Sequence, residues 1–182
     1  MSPAGARYAV FLRGMNLGGR RITNEDLCAA VAGLGFGAQA YQAAGNLIVE
    51  AKRRQRADAV RAALEKGLAA ALGYEVPAFV RDEGELRAIV AREPFAREAV
   101  ARSGGKPQVA LLQETPTSAA RSAVLALATA DDALVLVERE IHWLPGRGAG
   151  RSELDWKRIA KLVGPATVRT AGTLERLLAR YF

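Results

Sequence analysis

The sequence predicts an α+β protein in which one order of elements, β-α-β-β-α-β, occurs twice along the chain. Short apolar runs bounded by turn residues indicate strands, and alanine- and leucine-rich stretches with apolar residues at helical spacing indicate helices. The segment "ARSGGKP", residues 101–107, has the composition of a linker, and the order that precedes it returns after it. We therefore predict two units, residues 1–92 and 104–182.

The first predicted unit begins with a buried strand, "RYAVFLRG", at residues 7–14. Thr23, with Asp26 three residues later, is the predicted N-cap of the helix that follows. Gly45 separates two strands of a predicted hairpin. A helix, a strand and an additional helix complete the unit and are predicted at residues 57–72, 74–80 and 82–93.

The second predicted unit repeats this order, with Thr117 or Pro116 at the start of its first helix and Ser152 as the cap of its second. Its strands, hairpin and last helix are predicted at residues 108–114, 133–146, 166–170 and 172–182. The order β-α-β-β-α-β is the split arrangement of the ferredoxin-like motif. The predicted fold class is therefore two tandem ferredoxin-like α/β-plait units, each with an antiparallel sheet and an extra C-terminal helix.

The composition is that of a globular protein. Half of the 182 residues are hydrophobic and a quarter are charged. No apolar run reaches the ~18 residues of a membrane span, and "MSPAGARYAV" lacks a secretory signal pattern, so we expect a cytoplasmic protein without membrane association. With one cysteine, Cys28, and one histidine, His142, the sequence predicts neither a disulfide nor a metal site. No motif indicates a cofactor.

The chain is basic, with a formal charge of +7. A basic protein can bind nucleic acid, phosphates or acidic surfaces. Most of the basic residues are arginine and alanine is abundant, a pairing typical of a genome-wide compositional bias. The net charge by itself therefore does not predict a partner.

The segment "FLRGMNLGGR", residues 11–20, places glycines next to basic residues. Glycine permits positive φ, and a loop that leads into a helix offers free N–H groups to an anion. An arginine there could hold a phosphate or carboxylate through two hydrogen bonds. The alternative is a tight connection in which an asparagine bonds its own backbone. The candidate ligand-binding residues of this loop are Arg13, Gly14, Asn16, Gly18 and Gly19.

Two further segments carry candidate ligand-binding residues. Gly45 and Asn46 fit a hairpin turn, and Asn46 could alternatively reach Asn16 in the first loop. The segment "PGRGAGRSELDWKR", residues 145–158, again places glycine and arginine ahead of a helix. Its candidates are Arg147, Arg151 and Ser152.

The single histidine lies in "EIHWL", where His142 alternates with Ile141 and Trp143. This pattern predicts a strand and a packing or surface role for the imidazole. The alternative is a general base oriented by Glu138 or Glu140. No serine, histidine and aspartate in a catalytic order accompany it, so the sequence does not predict catalytic residues.

Four motifs together resemble a bacterial family known as domain of unknown function 1697. They are "YAVFLRGMNLGGRRI", a Tyr-x-x-x-Gly-Asn hairpin at residues 41–46, "GRSEL" and "PATVRTAGTLERLL". The resemblance extends over nearly the whole chain. It implies a cytoplasmic protein of two ferredoxin-like units and implies no activity.

The resemblance adds Arg169 to the candidate ligand-binding residues. The family tends toward an Arg-Asn-Trp-x-Thr run where residues 169–173 of this chain are "RTAGT", with Thr170 and Ala171 as the departures. It also tends toward serine at the position of Ala44. If those polar and aromatic groups contact a ligand, this chain has changed or lost the contact.

The sequence favours a binding protein for a phosphate-bearing or other anionic ligand, held by the glycine–arginine loops. The alternatives are an enzyme acting on a small phosphorylated or acidic metabolite, and a protein-interaction or regulatory module. Nucleic acid is a further candidate partner, since Trp156 could stack on a base. The strands lack the aromatic signature of RNA-binding sheets. The oligomeric state is not predicted.

Overall fold

The computed structural model describes residues 5–15, 19, 21–42 and 45–182. The backbone divides into two compact units, Met1–Arg87 with Arg180–Phe182, and Ala88–Ala179. The stretch between the predicted boundaries at residues 92 and 104 falls in the second unit by this division. In the described ranges, no helix is long and apolar enough to cross a membrane.

The first unit contains the elements in the predicted order. They are β1 (Ala6–Leu12), α1 (Asn24–Gly33), β2 (Gly37–Ala40), β3 (Asn46–Ala51), α2 (Ala57–Leu72), β4 (Ala78–Asp82) and the start of α3 (Glu83–Val90). The described strands form one sheet in the order β2-β3-β1-β4. Every strand pair in it is antiparallel.

The second unit repeats the arrangement. Its elements are α4 (Arg97–Arg102), β5 (Gln108–Leu112), α5 (Ser118–Leu125), β6 (Asp132–Val137), β7 (Glu140–Pro145), α6 (Trp156–Val163), β8 (Ala166–Thr170) and α7 (Ala171–Tyr181). Its antiparallel sheet has the strand order β6-β7-β5-β8, which matches the order in the first unit. The predicted fold class is therefore confirmed.

The helix α4 was not predicted and overlaps the segment assigned to a linker. The sequence "REAVAR" consists of good helix formers except for its valine, which explains why it can form a short helix. The glycines of the predicted linker begin only after this helix, and Gly104 donates its N–H to the carbonyl of Gly146 at 2.7 Å. The remaining linker is thus hydrogen-bonded to the loop after β7.

The core of the first unit lies between the helices and one face of its sheet. Val60, Leu64 and Leu68 recur every four residues on α2 and are all buried. They belong to one cluster with Tyr8 and Val10, which alternate along β1 because successive strand residues point to opposite faces. The apolar face predicted for residues 57–72 is confirmed.

The core of the second unit uses one face of its sheet in the same way. Its buried residues include Ala110, Val124, Ile141, Trp143 and Ile159, from β5, α5, β7 and α6. Because strand side chains alternate, Val109 on β5 and His142 on β7 point to the opposite face. That face carries the candidate site described below.

Two predicted helix caps are confirmed. The hydroxyl oxygen of Thr23 accepts the backbone N–H of Asp26 at 3.0 Å, and it donates to the Asp26 carboxylate at 2.7 Å. Thr117 accepts the N–H of Ala120 at 3.2 Å at the start of α5. Both satisfy an N–H group that the helix itself leaves unpaired.

The predicted cap at Ser152 is wrong. Ser152 follows a short 3₁₀ turn, Ala149–Arg151, and its hydroxyl accepts the N–H of Leu154 at 3.1 Å. Helix α6 begins only at Trp156, and Asp155 caps it by accepting the N–H of Arg158 at 2.9 Å. Aspartate and serine cap equally well, so residue preference alone did not separate the two positions.

Replacing Asp155 with alanine is expected to lower the free energy of unfolding by about 1 kcal/mol, because α6 then loses its cap. The Asp155→Asn variant keeps a capping oxygen and is the control, with little expected change. Urea unfolding followed by tryptophan fluorescence measures both, since Trp143 and Trp156 lie in this unit. Equal stability of the two variants would contradict the assignment.

Candidate functional site

Two glycines of the first glycine–arginine loop have the positive φ values that the sequence predicts. Gly14 and Gly19 have φ values of 77° and 82°, in the left-handed region that favours glycine. Arg13 is exposed. Asn16 and Gly18 lie outside the described residues, so the proposed convergence of N–H groups stays a prediction.

The hairpin turn between β2 and β3 lies beside this loop. The N–H of Leu12 donates to the carbonyl of Gly45 at 2.7 Å, and Asn24 Nδ2 donates to the carbonyl of Gln42 at 2.9 Å. Gly45 has φ of 100°, and Asn46 is buried at the start of β3. The structure thus brings together the described parts of two segments that the sequence analysis linked. Ala44 lies outside them.

In the third candidate segment, residues 145–158, two of the candidate residues make contacts within the protein. The Arg147 side chain pairs with Asp131 at 2.9 Å (Nε to Oδ2) on the surface of the second unit. Arg151 ends the 3₁₀ turn and is exposed. Since Ser152 bonds the backbone N–H of Leu154 and Asp155 caps α6, Ser152 does not place these arginines at the start of a helix that it caps.

Arg169 lies on β8, in one row with two residues of neighbouring strands. Val109 on β5 is directly opposite Arg169 on one side and His142 on the other, so all three share a sheet face. The Arg169 Nη1 donates to the Thr167 hydroxyl at 2.7 Å and to the Val168 carbonyl at 2.8 Å. Burial lowers the pKa of Arg169 to about 10, and the side chain is still cationic at pH 7.

This sheet face forms the floor of a cavity of about 370 Å³. The walls come from the end of α3, the connector to α4, α4 itself and the first turns of α7. Apolar groups dominate the lining, and they include Ile89, Phe95, Val100, Val109 and Leu174. The volume falls within the range of roughly 300–1,000 Å³ typical of small-molecule sites.

His142 places a polar atom in this apolar surrounding. The residue is 3 % exposed, and its Nε2 atom has no hydrogen-bond partner among the described residues. Burial, and secondly the positive charge of Arg92, lower the pKa of His142 from 6.5 to about 4. The imidazole is therefore neutral at pH 7.

Arg92 brings a cation to the same cavity. It lies between α3 and α4, is partly buried, and pairs with no carboxylate in the described part of the chain. The nearby Glu93 contacts Arg97 instead, at 3.4 Å, and both of these side chains are exposed. The cavity therefore combines an apolar lining with a guanidinium for which the described part of the chain supplies no carboxylate partner.

The glutamates proposed to orient the histidine do not do so. No hydrogen bond joins His142 to Glu138 or Glu140 among the residues described. Clusters of His, Cys, Asp and Glu suited to a metal ion are likewise absent from the described ranges.

Comparison with known proteins shows the family. A family model described as "Protein of unknown function (DUF1697)" matches residues 6–142. The chain belongs to this family. The fold of this DUF1697 protein is similar to that of the conserved bacterial protein SP0830 from Streptococcus pneumoniae, with a TM-score of 0.70, 19% identity, and coverage of 97% of this chain and 98% of that one. No curated protein matches.

Most of the cavity lining was not predictable from the sequence. Arg169 shares the row of Val109 and His142, and Ala171, one of the family departures, lines the cavity. Arg92 and Phe95 were overlooked because they lie in no motif and precede a segment interpreted as a linker. The single histidine on an apolar strand was the one available signal.

Proposed function

We propose that this DUF1697 protein binds a small anionic ligand, and that the cavity of the second unit is the site. The observation that carries the proposal is Arg92, a partly buried cation without a carboxylate partner among the described residues. Taking a charge out of water is unfavourable unless it is paired. A ligand anion would supply that pair through charge-assisted hydrogen bonds.

The apolar lining adds a second requirement for the ligand. A ligand that covers side chains such as Phe95, Val109 and Leu174 removes apolar surface from water. Each Å² of apolar surface buried in this way contributes roughly 25 cal/mol to the free energy of binding. Inorganic phosphate alone has no apolar surface to offer. The ligand we propose therefore carries a carboxylate or phosphate on a compact carbon body.

The acid–base enzyme alternative receives less support from this site. An efficient general base has a pKa near the working pH, whereas the pKa of His142 is lowered to about 4. A binding role does not need proton transfer. The anion site at the glycine–arginine loops, the cytoplasmic location, the absence of a cofactor and the nucleic-acid alternative stay predictions from the sequence.

Benzoate and phenyl phosphate are expected to bind at least about tenfold more tightly than the neutral analogue benzamide, because only the anions pair with Arg92. Isothermal titration calorimetry at moderate salt measures the dissociation constants. In Arg92→Gln the ratio of the dissociation constant of benzamide to that of either anion should fall to near one. The control is Arg102→Gln, which removes an exposed arginine of α4 that does not line the cavity.

A variant of the first loop distinguishes the two candidate anion sites. If Arg13→Gln abolishes anion binding and Arg92→Gln leaves it unchanged, the ligand binds at the glycine–arginine loop instead. If neither anion binds the wild-type protein better than benzamide does, the cavity is not an anion site. A preference that survives in Arg92→Gln would also refute the role of this arginine.

A further inference from the structure

A carboxylate, that of Glu175, belongs to the lining of the same cavity as Arg92. Glu175 lies on α7 together with Ala171 and Leu174, which also line the cavity. Residues three and four positions apart share one face of a helix, so the face of α7 that carries Glu175 is the one turned to the cavity. The Glu175 residue is exposed and is therefore accessible to a ligand.

The other charges of the lining leave Glu175 and Arg92 to a ligand. The charged residues that line the cavity in the described part of the chain are Arg92, Glu93, Arg97 and Glu175. Glu93 and Arg97 pair with each other at 3.4 Å. Neither Arg92 nor Glu175 pairs with a residue of opposite charge among those described. One cation and one anion therefore remain in the lining.

A ligand that carries only an anionic group would satisfy one of these two charges. Its carboxylate at Arg92 would lie in the field of the Glu175 carboxylate, and like charges repel. An apolar lining strengthens this effect, because charges interact more strongly where less water screens them. A cationic group on the same ligand replaces the repulsion with attraction, and an ammonium donates charge-assisted hydrogen bonds to a carboxylate.

We propose that the cavity selects amino acids with an apolar body: the ligand carboxylate pairs with Arg92, the ligand ammonium pairs with Glu175, and the body contacts the apolar lining. This inference rests on the proposed function, since it takes the anion at Arg92 as given. Glu175 is then a specificity-determining residue. It makes the site discriminate between an amino acid and the same acid without the amino group.

The test compares acids with the same acids carrying an added amino group. The pairs are 3-phenylpropionate with L-phenylalanine, and 4-methylbenzoate with 4-(aminomethyl)benzoate, which place the two charges at different distances. Isothermal titration calorimetry at moderate salt measures the dissociation constants. In at least one pair the wild-type protein is expected to bind the amino acid about fivefold more tightly, the effect of a favourable ion pair that is partly exposed.

Two variants of Glu175 test its role in this preference. In Glu175→Gln the ratio of the dissociation constant of the parent acid to that of the amino acid should fall to about one. In Glu175→Lys the ratio should fall below one, because the new cation attracts the carboxylate and repels the ammonium. The control is Glu98→Gln, which removes an exposed glutamate of α4 that does not line the cavity and should leave the ratio unchanged.

The outcomes separate the inference from the proposed function. Equal binding of amino acid and parent acid to the wild-type protein in both pairs overturns the inference and leaves anion binding intact. A preference that persists in Glu175→Lys, or that Glu98→Gln lowers as much as Glu175→Gln does, also overturns it. If benzamide binds the wild-type protein as well as benzoate and phenyl phosphate do, the proposed function fails and the inference with it.

Discussion

As the pH falls from 7 to 4.5, the wild-type protein is expected to lose roughly 2 to 3 kcal/mol more unfolding free energy than the His142→Gln variant. Burial, and secondly the charge of Arg92, lower the pKa of His142 in the folded protein from 6.5 to about 4. Between these values the unfolded chain binds a proton and the folded protein does not. Acid therefore favours unfolding in this window.

The direction of this change in unfolding free energy follows from the protonation states of His142 above and below this pH window. Above pH 6.5 the imidazole is neutral in both states, so the native protein has its full stability. Below pH 4 it is protonated in both states, and the loss is complete. The other charged side chains lining the cavity are Glu93, Arg97 and Glu175, and they are present in both proteins.

Urea unfolding at pH 7, 5.5 and 4.5, followed by tryptophan fluorescence, measures this difference. Both tryptophans lie in the unit that contains His142. Carboxylates titrate in the wild-type protein and in the variant alike, so the difference between the two isolates the imidazole. Parallel loss of stability in both proteins would mean that the folded imidazole is solvated, and the buried environment inferred here would be wrong.

Replacing Asp132 with alanine is expected to lower the free energy of unfolding by about 3 kcal/mol. Asp132 is 2 % exposed. Its carboxylate accepts the indole N–H of Trp143 at 2.7 Å and the hydroxyl of Thr129 at 3.0 Å. The alanine variant removes both acceptors and leaves the buried indole N–H without a partner, which is the larger part of the loss.

Two variants provide controls for Asp132→Ala. Asp132→Asn keeps an oxygen for Trp143 and is expected to lose only about 1 kcal/mol. Asp131→Ala removes the neighbouring aspartate, whose exposed pair with Arg147 contributes at most about 1 kcal/mol. Equal losses in Asp131→Ala and Asp132→Ala, measured by urea unfolding at pH 7, would show that the buried hydrogen bond to Trp143 does not stabilise this unit.

Much of the fold could be predicted from the sequence because its signals are local. The spacing of Val60, Leu64 and Leu68 predicts a helix and the face that it buries, without knowledge of what that face contacts. Thr23 followed by Asp26 marks a helix start in the same way. The sequence misplaced the cap at Ser152 because several residues nearby can cap, and long-range packing selects among them.

The candidate site was largely hidden from sequence analysis. The glycine–arginine motifs are compact patterns, whereas most side chains that line the cavity belong to no motif. Nothing in the sequence distinguishes Arg92 from other arginines, and only the fold shows that it lines the cavity with His142 and pairs with no carboxylate among the described residues. Ala171 is a departure from the family pattern in the sequence, and the structure adds that it lines the cavity because α7 begins there.

The sequence by itself determined the order of the elements, the repeated β-α-β-β-α-β unit and the apolar faces of the helices, because each depends on residues close together in the chain. Only the tertiary structure decided that Arg92, Val109 and His142 share one cavity and that Nε2 of His142 is buried there unpaired among the described residues. These residues lie far apart in sequence. Val109 and His142 meet because of the register that sets β5 against β7, and this long-range pairing leaves no periodic trace in the chain.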